Sequence, residues 1–151
     1  MAQSGTYAIF KGKGAAKFSQ ISPTRDDNGW VKKTGAILLE AAPAVGKRPD
    51  GLPDYDWGQK ISFAIGVQDV ALLFDPKTDK LFHQSSSGGF ESTKTLKFVA
   101  GTGNFEGTYQ MFLNQSYDGG NKKVFVPFSA GEFLVLQRLL LSSVPMMINW
   151  K

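Results

Sequence analysis

Between Thr6 and Phe18 the chain runs Thr-Tyr-Ala-Ile-Phe-Lys-Gly-Lys-Gly-Ala-Ala-Lys-Phe, three lysines set among aromatic side chains and glycines. On a strand–turn–strand, those residue types suit a polyanion that carries flat bases. Ammonium groups neutralise phosphates, and aromatic faces stack on bases freed from a duplex. The charge is distributed to match. Residues 1–33 hold Lys11, Lys13, Lys17, Arg25, Lys32 and Lys33 against Asp26 and Asp27, so the whole formal net charge of +4 sits in that stretch. Trp30 close to Lys32, and Tyr55 and Trp57 ahead of Lys60, repeat the pairing of ring and cation. The candidate nucleic-acid-binding residues are therefore Tyr7, Lys11, Lys13, Trp30, Lys32, Tyr55, Trp57 and Lys60. For most of the 12 Phe residues core packing is the simpler reading.

Catalysis finds little to work with. The single histidine, His83, stands between Phe82 and Gln84, and there is no cysteine. Neither a Ser-His-Asp triad, a thiolate nucleophile nor a two-histidine or sulfur-rich metal site can be assembled from these residues, so no enzyme, metal or cofactor is expected. Asp50, Asp54 and Asp56 fall in a Pro/Gly-rich stretch, where aspartate commonly closes turns and caps helices. Gly101 to Gly107 does not have dinucleotide-fingerprint spacing, and Gly12-Lys13-Gly14 lacks the rest of a phosphate-binding loop. The alternative to nucleic-acid binding is a β-sheet carbohydrate-binding or hydrolytic module using Trp30, Trp57 and the loop aspartates. A basic N-terminal third separates the two, because phosphates need it and sugars do not.

The elements that must position these residues read as short apolar-alternating strands broken by turns, the mark of antiparallel β structure. At 151 residues the chain is expected to form a single domain, residues 1–151. Strands are expected at Tyr7 to Lys11 and Ala15 to Ile21, then, after the Asn28-Gly29 turn, at Trp30 to Lys33 and Ala36 to Ala42. Residues 43–58 read as the longest loop. A strand from Gln59 to Ile65 leads into a short helix from Val67 to Phe74. Further strands are expected at Lys80 to Gln84, Ser92 to Ala100, Phe105 to Asn114 and Lys123 to Phe128. This gives two blocks of strands, each followed by a helix.

Ser129 with Glu132 three residues later is a capping box, and it opens a helix that is apolar nearly all the way round from Phe133 to Leu141. Such a helix needs cover beyond one domain face, either from a second subunit or from both sheets of its own protomer. Leu136 and Leu140, four apart, share one side and are the candidate oligomerisation residues. Pro145 is expected to kink or end the helix.

Tyr7-Ala-Ile-Phe-Lys-Gly-Lys13, Ala42-Pro-Ala-Val-Gly46, Tyr55-Asp-Trp57 with Lys60, Phe82-His83, Val126-Pro127 with Glu132-Phe133, and the closing Trp150 occur in an order that resembles the Whirly family of single-stranded DNA-binding proteins, which shares its fold with the trypanosome mitochondrial RNA-binding proteins. The resemblance covers nearly the whole chain. It implies an α+β fold of two four-stranded antiparallel sheets packed at a steep angle, each followed by a helix. It also implies a homotetramer held by the last helix, and binding of single-stranded DNA or RNA along sheet surfaces and protomer seams with little sequence preference. In the family the Lys-Gly-Lys segment, normally followed by two alanines and a leucine, also supports assembly of tetramers into larger particles. Here Gly14 intervenes, and Lys17 stands where an apolar residue is expected.

A single-stranded nucleic-acid-binding protein of this kind would serve genome maintenance, transcription or RNA handling. No signal peptide or membrane span is legible, so an intracellular location is expected. That means the cytoplasm or nucleoid of a bacterium, or a mitochondrion or plastid if a transit peptide has been removed.

Overall fold

The computed structural model describes residues 5–87 and 90–150; residues 1–4, 88–89 and 151 lie outside them. The first block comprises β1 (Thr6–Phe10), β2 (Gly14–Ile21), β3 (Thr24–Arg25), β4 (Val31–Lys33), β5 (Ala36–Lys47), β6 (Pro53–Tyr55), β7 (Ile61–Ile65) and the helix α1 (Val67–Leu73). The second comprises β8 (Leu81–Ser87), β9 (Phe90–Ala100), β10 (Tyr109–Tyr117), β11 (Gly120–Phe128) and the helix α2 (Ala130–Met147).

The body of the first sheet is β1-β2-β5-β7, antiparallel throughout, with β6 added on the far end of β5. The second sheet is the antiparallel meander β8-β9-β10-β11. Period-two alternation decides which way each strand faces. Phe18, Leu39, Ile61, Phe63 and Ile65 of the first sheet meet Leu81, Leu96, Met111, Leu113, Val126 and Phe128 of the second in one buried cluster. The Lys94 ammonium on β9 then reaches across to the Ser62 carbonyl on β7 at 2.5 Å. Burial, with Lys122 nearby, holds the Lys94 pKa below its ordinary value.

Close approach of the sheets depends on Gly14. A Cβ there would stand 2.7 Å from the Phe125 carbonyl oxygen, so glycine is what lets the start of β2 lie against β11. In the expected Asn-Gly turn, Gly29 takes a φ of 86°, where a side chain would be strained.

Three expectations need correction. Residues 43–58 are not a loop. β5 continues to Lys47, the chain turns at Arg48 to Leu52, and β6 pairs back on β5. Phe105 does not begin a strand; Gly103–Phe105 is a single 3-10 turn, and β10 starts at Tyr109. The polar β-turn chemistry of both regions reads the same from sequence whether the flanking residues pair or not. Pro145 does not end α2, which runs on to Met147. A proline one turn from the C-terminus forfeits one intrahelical bond, and the chain keeps others around it, from the Ile148 amide to the Val144 carbonyl and the Trp150 amide to the Pro145 carbonyl.

α2 opens on the expected capping box. The Ser129 hydroxyl accepts from the Glu132 amide at 3.1 Å, and Glu132 accepts from the Ser129 amide at 2.8 Å. Phe133, Leu136, Leu140, Ser143 and Met147, at steps of three and four, form its buried stripe. Leu136 and Leu140 are each only 1% exposed and belong to the core of their own protomer. The two residues expected to serve oligomerisation thus lie on the inward side of α2. The apolar side chains left open on α2 are Leu134, Val135, Leu139 and Leu141.

Candidate nucleic-acid interface

One end of the first sheet gathers cations and rings on the face turned away from the core. β2 alternates Ala16 and Phe18 inward, so Lys17 points outward, and it lies in register with Glu40 on β5. Its ammonium stands 4.1 Å from the centre of the Trp57 ring, a cation–π contact. Trp57 is placed there by the 3-10 turn Trp57–Gln59, whose cap, Asp56, accepts from the Gly58 amide at 3.1 Å. Lys60 follows directly and pairs with Glu40 at 2.5 Å.

The β1–β2 turn closes beside them. Tyr55 on β6 donates its hydroxyl to the Lys11 carbonyl at 2.7 Å, and its ring lies 5.8 Å from that of Phe10. Burial pushes the Tyr55 pKa up, in keeping with a hydroxyl that donates rather than ionises. Lys13 is exposed in the turn, and its carbonyl accepts from the Ala44 amide at 3.3 Å. Lys17 over Trp57, Lys60 on Glu40 and the exposed Lys13 in the adjoining turn thus share one end of the sheet with Tyr55 and Phe10.

The other expected site residues do not join this corner. Tyr7 faces the opposite way, packs against Phe18 and donates to the Glu132 carbonyl of α2 at 3.3 Å; burial, then the nearby Glu132 carboxylate, raise its pKa. Lys11 turns its ammonium to the Glu132 carboxylate at 2.8 Å, so its first partner is the helix. Trp30 and Lys32 lie beyond the far end of β2, roughly 25 Å of extended strand from the Lys13 turn at about 3.3 Å per residue. There Trp30 is 73% exposed, its amide held by Asp26 at 3.0 Å, and the ribbon β3–β4 reaches the C-terminal end of α2 through Arg25 and Asn149.

The loop aspartates are engaged in local structure. Asp50 accepts from the Leu52 amide at 3.1 Å and pairs with Arg48, and Asp54 accepts from the Tyr55 amide at 3.0 Å. His83 stacks on Phe63 with ring centres 4.1 Å apart and bonds Asp69 at 2.9 Å, tying β8 to the start of α1. Among the described residues no group of three metal-binding side chains occurs, and no helix is long and apolar enough to cross a membrane.

Lys17 and Phe10 belong to the corner but are missing from the residues picked out by type and spacing. The alternation of Phe10 with Ile9, and of Lys17 with Ala16 and Phe18, does place them on the outer face. What local sequence does not carry is the return of β6, which brings Tyr55 and Trp57 onto that face.

Comparisons with known proteins agree with this architecture. A family model described as a Whirly transcription factor matches residues 9–139. The single-stranded DNA-binding protein WHY1, chloroplastic, of Zea mays is 28% identical over 158 aligned residues, covering 96% of this chain and 56% of that protein. The corresponding figures for the single-stranded DNA-binding protein WHY3, chloroplastic, of Arabidopsis thaliana are 27%, 95% and 56%. The chain spans about half the length of these curated relatives, 56% in each case. Among solved structures, WHY1 from Arabidopsis thaliana superposes with a TM-score of 0.77 at 22% identity, covering 99% of this chain and 88% of that one. The plant transcriptional regulator PBF-2 does so with a TM-score of 0.76 at 21% identity, covering 99% and 85%. These likenesses identify the fold.

Proposed function

Because this chain belongs to the Whirly family, we propose that it is a non-enzymatic protein that binds single-stranded DNA, with RNA as the second polymer it accepts, and with little preference for sequence. Two curated relatives that carry the single-stranded DNA-binding name over nearly the whole of this chain support the reading. The structural observation that carries it is the corner where Lys17 lies over Trp57, with Lys60 on the neighbouring Glu40 and Lys13 exposed in the adjoining turn. Rings held at a sheet surface can stack on unpaired bases, while ammonium groups follow the backbone without reading bases.

The chain acts as one binding domain and assembles as a homotetramer, for which Leu134, Val135, Leu139 and Leu141 offer the open apolar surface of α2. A strand leaving one protomer's corner then passes to the next across the seam between them. Genome maintenance, transcription and RNA handling all draw on such binding. The chloroplastic relatives favour a plastid over the other compartments considered.

Titration of the protein with a labelled oligothymidylate and with a matched duplex tests the reading. Binding of the single strand in clear preference to the duplex supports it; equal affinity for the two overturns it. Loss of the nucleic acid that co-purifies with the protein after single-strand-specific nuclease treatment is the expected companion result.

A further inference from the structure

On the core side of the second sheet, the buried row Leu81, Leu96, Leu113 and Val124 is followed, two residues along each strand, by His83, Lys94, Gln115 and Lys122, in register across all four strands. Period-two alternation keeps this polar row on the same face as the buried one, where it meets β7 of the first sheet. His83 stacks on Phe63 with ring centres 4.1 Å apart, and the Lys94 ammonium donates to the Ser62 carbonyl at 2.5 Å. A groove of about 410 Å³ lies over this seam, with Ser62, Phe63, His83, Ser85 and Lys94 in its lining.

Lys94 is a cation in unfavourable surroundings. It is partly buried, the charge that acts on it is a second cation, Lys122, and among the described residues it makes no ion pair with a carboxylate. The acid that reaches the row, Asp69 of α1, is held by His83 and by the Gly66 amide, each at 2.9 Å, and Glu91 alternates to the other face of β9. Burial first and Lys122 second hold the Lys94 pKa below its ordinary value of 10.5, so more of it stands as free amine at neutral pH than in an exposed lysine. The amine is a nucleophile and the ammonium is not. A neutral amine also keeps two N–H groups, so one still serves the Ser62 carbonyl while the lone pair is free to attack.

We propose that Lys94 is a site of acylation by short acyl thioesters, which reach its amine through the groove over the β7–β9 seam. The nitrogen attacks the thioester carbonyl carbon, an N–C bond forms as the C–S bond breaks, and the sulfur leaves as a thiol carrying the proton shed by nitrogen. The product is a neutral amide. It ends the repulsion from Lys122, but it replaces the ammonium that ties β9 to the Ser62 carbonyl, so acylation loosens the joint between the two sheets.

Incubation of the protein with acetyl coenzyme A alone at neutral pH, followed by peptide mass spectrometry, reads the acetyl occupancy of each lysine. Lys94 is expected to acetylate about fivefold or more faster than Lys97 and Lys123, which alternate to the outer face of the same sheet. Lys122→Gln, which removes the neighbouring charge, should slow Lys94 by about twofold or more and move its rate–pH profile upward, leaving Lys97 unchanged. Lys94→Arg keeps a charge and a donor at the seam but takes no acetyl group there. After the same treatment it should melt at a higher temperature than the acetylated unaltered protein, since the two carry the same acetyl groups elsewhere. A Lys94 rate no greater than those of Lys97 and Lys123 overturns the proposal, as does uptake at Lys94 only after denaturation, or a rate indifferent to Lys122→Gln with thermal melting unchanged. Equal melting of the two treated proteins would overturn the loosening of the joint. No nucleic acid enters the experiment, so each of these outcomes is independent of the proposed function.

Discussion

The Lys11 ammonium lies 2.8 Å from the Glu132 carboxylate, joining the β1–β2 turn to the first turn of α2. Burial alone would raise the Glu132 pKa, but the hydrogen bond from Lys11, those from Ser129 and the Lys11 charge outweigh it and hold the carboxyl below its ordinary value of 4.5. A carboxyl depressed on folding stabilises the native state above its unfolded pKa, and that contribution is lost as pH falls through the folded value. Melting temperature should therefore drop as the solution is acidified below about pH 4.5, where this contribution begins to go. Glu132→Gln should flatten that part of the profile. At neutral pH the same variant should cost about 1 kcal/mol, since it loses a half-exposed ion pair and weakens a cap. Thermal melts of both proteins across the acid range check both points.

At the alkaline end the sign reverses. Tyr7 and Tyr55 both have raised pKa values, chiefly from burial, and both hydroxyls donate hydrogen bonds. The stability they contribute is whole below the ordinary value of 10.0 and is lost as pH rises through their folded values. Tyr55→Phe should remove part of this alkaline loss, measured by denaturant unfolding above neutral pH, while loosening the turn that carries Lys13.

Lys17 and Trp57 make the binding reading quantitative. Lys17→Ala should weaken binding to all single strands alike and reduce the log–log salt slope by about 0.7, as one phosphate contact fewer requires. Trp57→Leu should instead cost about 1–3 kcal/mol of affinity with the slope nearly unchanged, because stacking releases no counterions. Lys11→Ala is expected to lower the melting temperature more than the slope, since Lys11 already has Glu132 as its partner. Titrations at a series of salt concentrations separate the three.

Much of the fold is legible in local pattern. Ile61, Phe63 and Ile65 alternate as a half-buried strand must, Ser129 and Glu132 announce α2, and Asn28-Gly29 marks its turn. Pairing over long distances is not written locally. Whether Pro53 to Tyr55 is loop or strand depends on β5 extending far enough to meet it, and whether Leu136 or Leu139 faces the core depends on how two sheets close over α2. The same limit governs the site. Residue type finds Trp57 and Lys60, but their meeting with Lys17, and the departure of Tyr7 and Lys11 toward α2, follow from which strand lies beside which. Phe112 and Phe125 look like core from their type alone; alternation with the buried Met111, Leu113, Val124 and Val126 turns them to the outer face.

Gly14 offers a test of how closely the two sheets must approach. Gly14→Ala would place a methyl 2.7 Å from the Phe125 carbonyl and 3.1 Å from the Ala42 carbonyl, both backbone atoms that cannot swing aside. The expected cost is about 1–3 kcal/mol, as for overpacking elsewhere in a core. Denaturation curves give it directly. Gly12→Ala, with no atom within 4 Å of the added carbon, is the control and should be close to neutral.

The proposed tetramer can be tested on the open side of α2. Leu136 and Leu140 lie within the protomer's core, whereas Leu139 and Leu141, immediately beside Leu140, are 41% and 54% exposed. If these are the surfaces that bring protomers together, Leu139→Glu with Leu141→Glu would bury carboxylates at an interface without partners, at a cost of several kcal/mol, and leave the protomer's own core intact. The double variant should sediment as a monomer, keep its secondary structure, and bind a long oligothymidylate more weakly than the tetramer, because the strand can no longer pass from one corner to the next. Leu140→Glu behaves differently: a charge in the core should prevent folding, so loss of assembly there says nothing about the interface. Sedimentation of the unaltered protein as a monomer at micromolar concentration would refute the tetramer, and a double variant that remains tetrameric would move the interface off this helix.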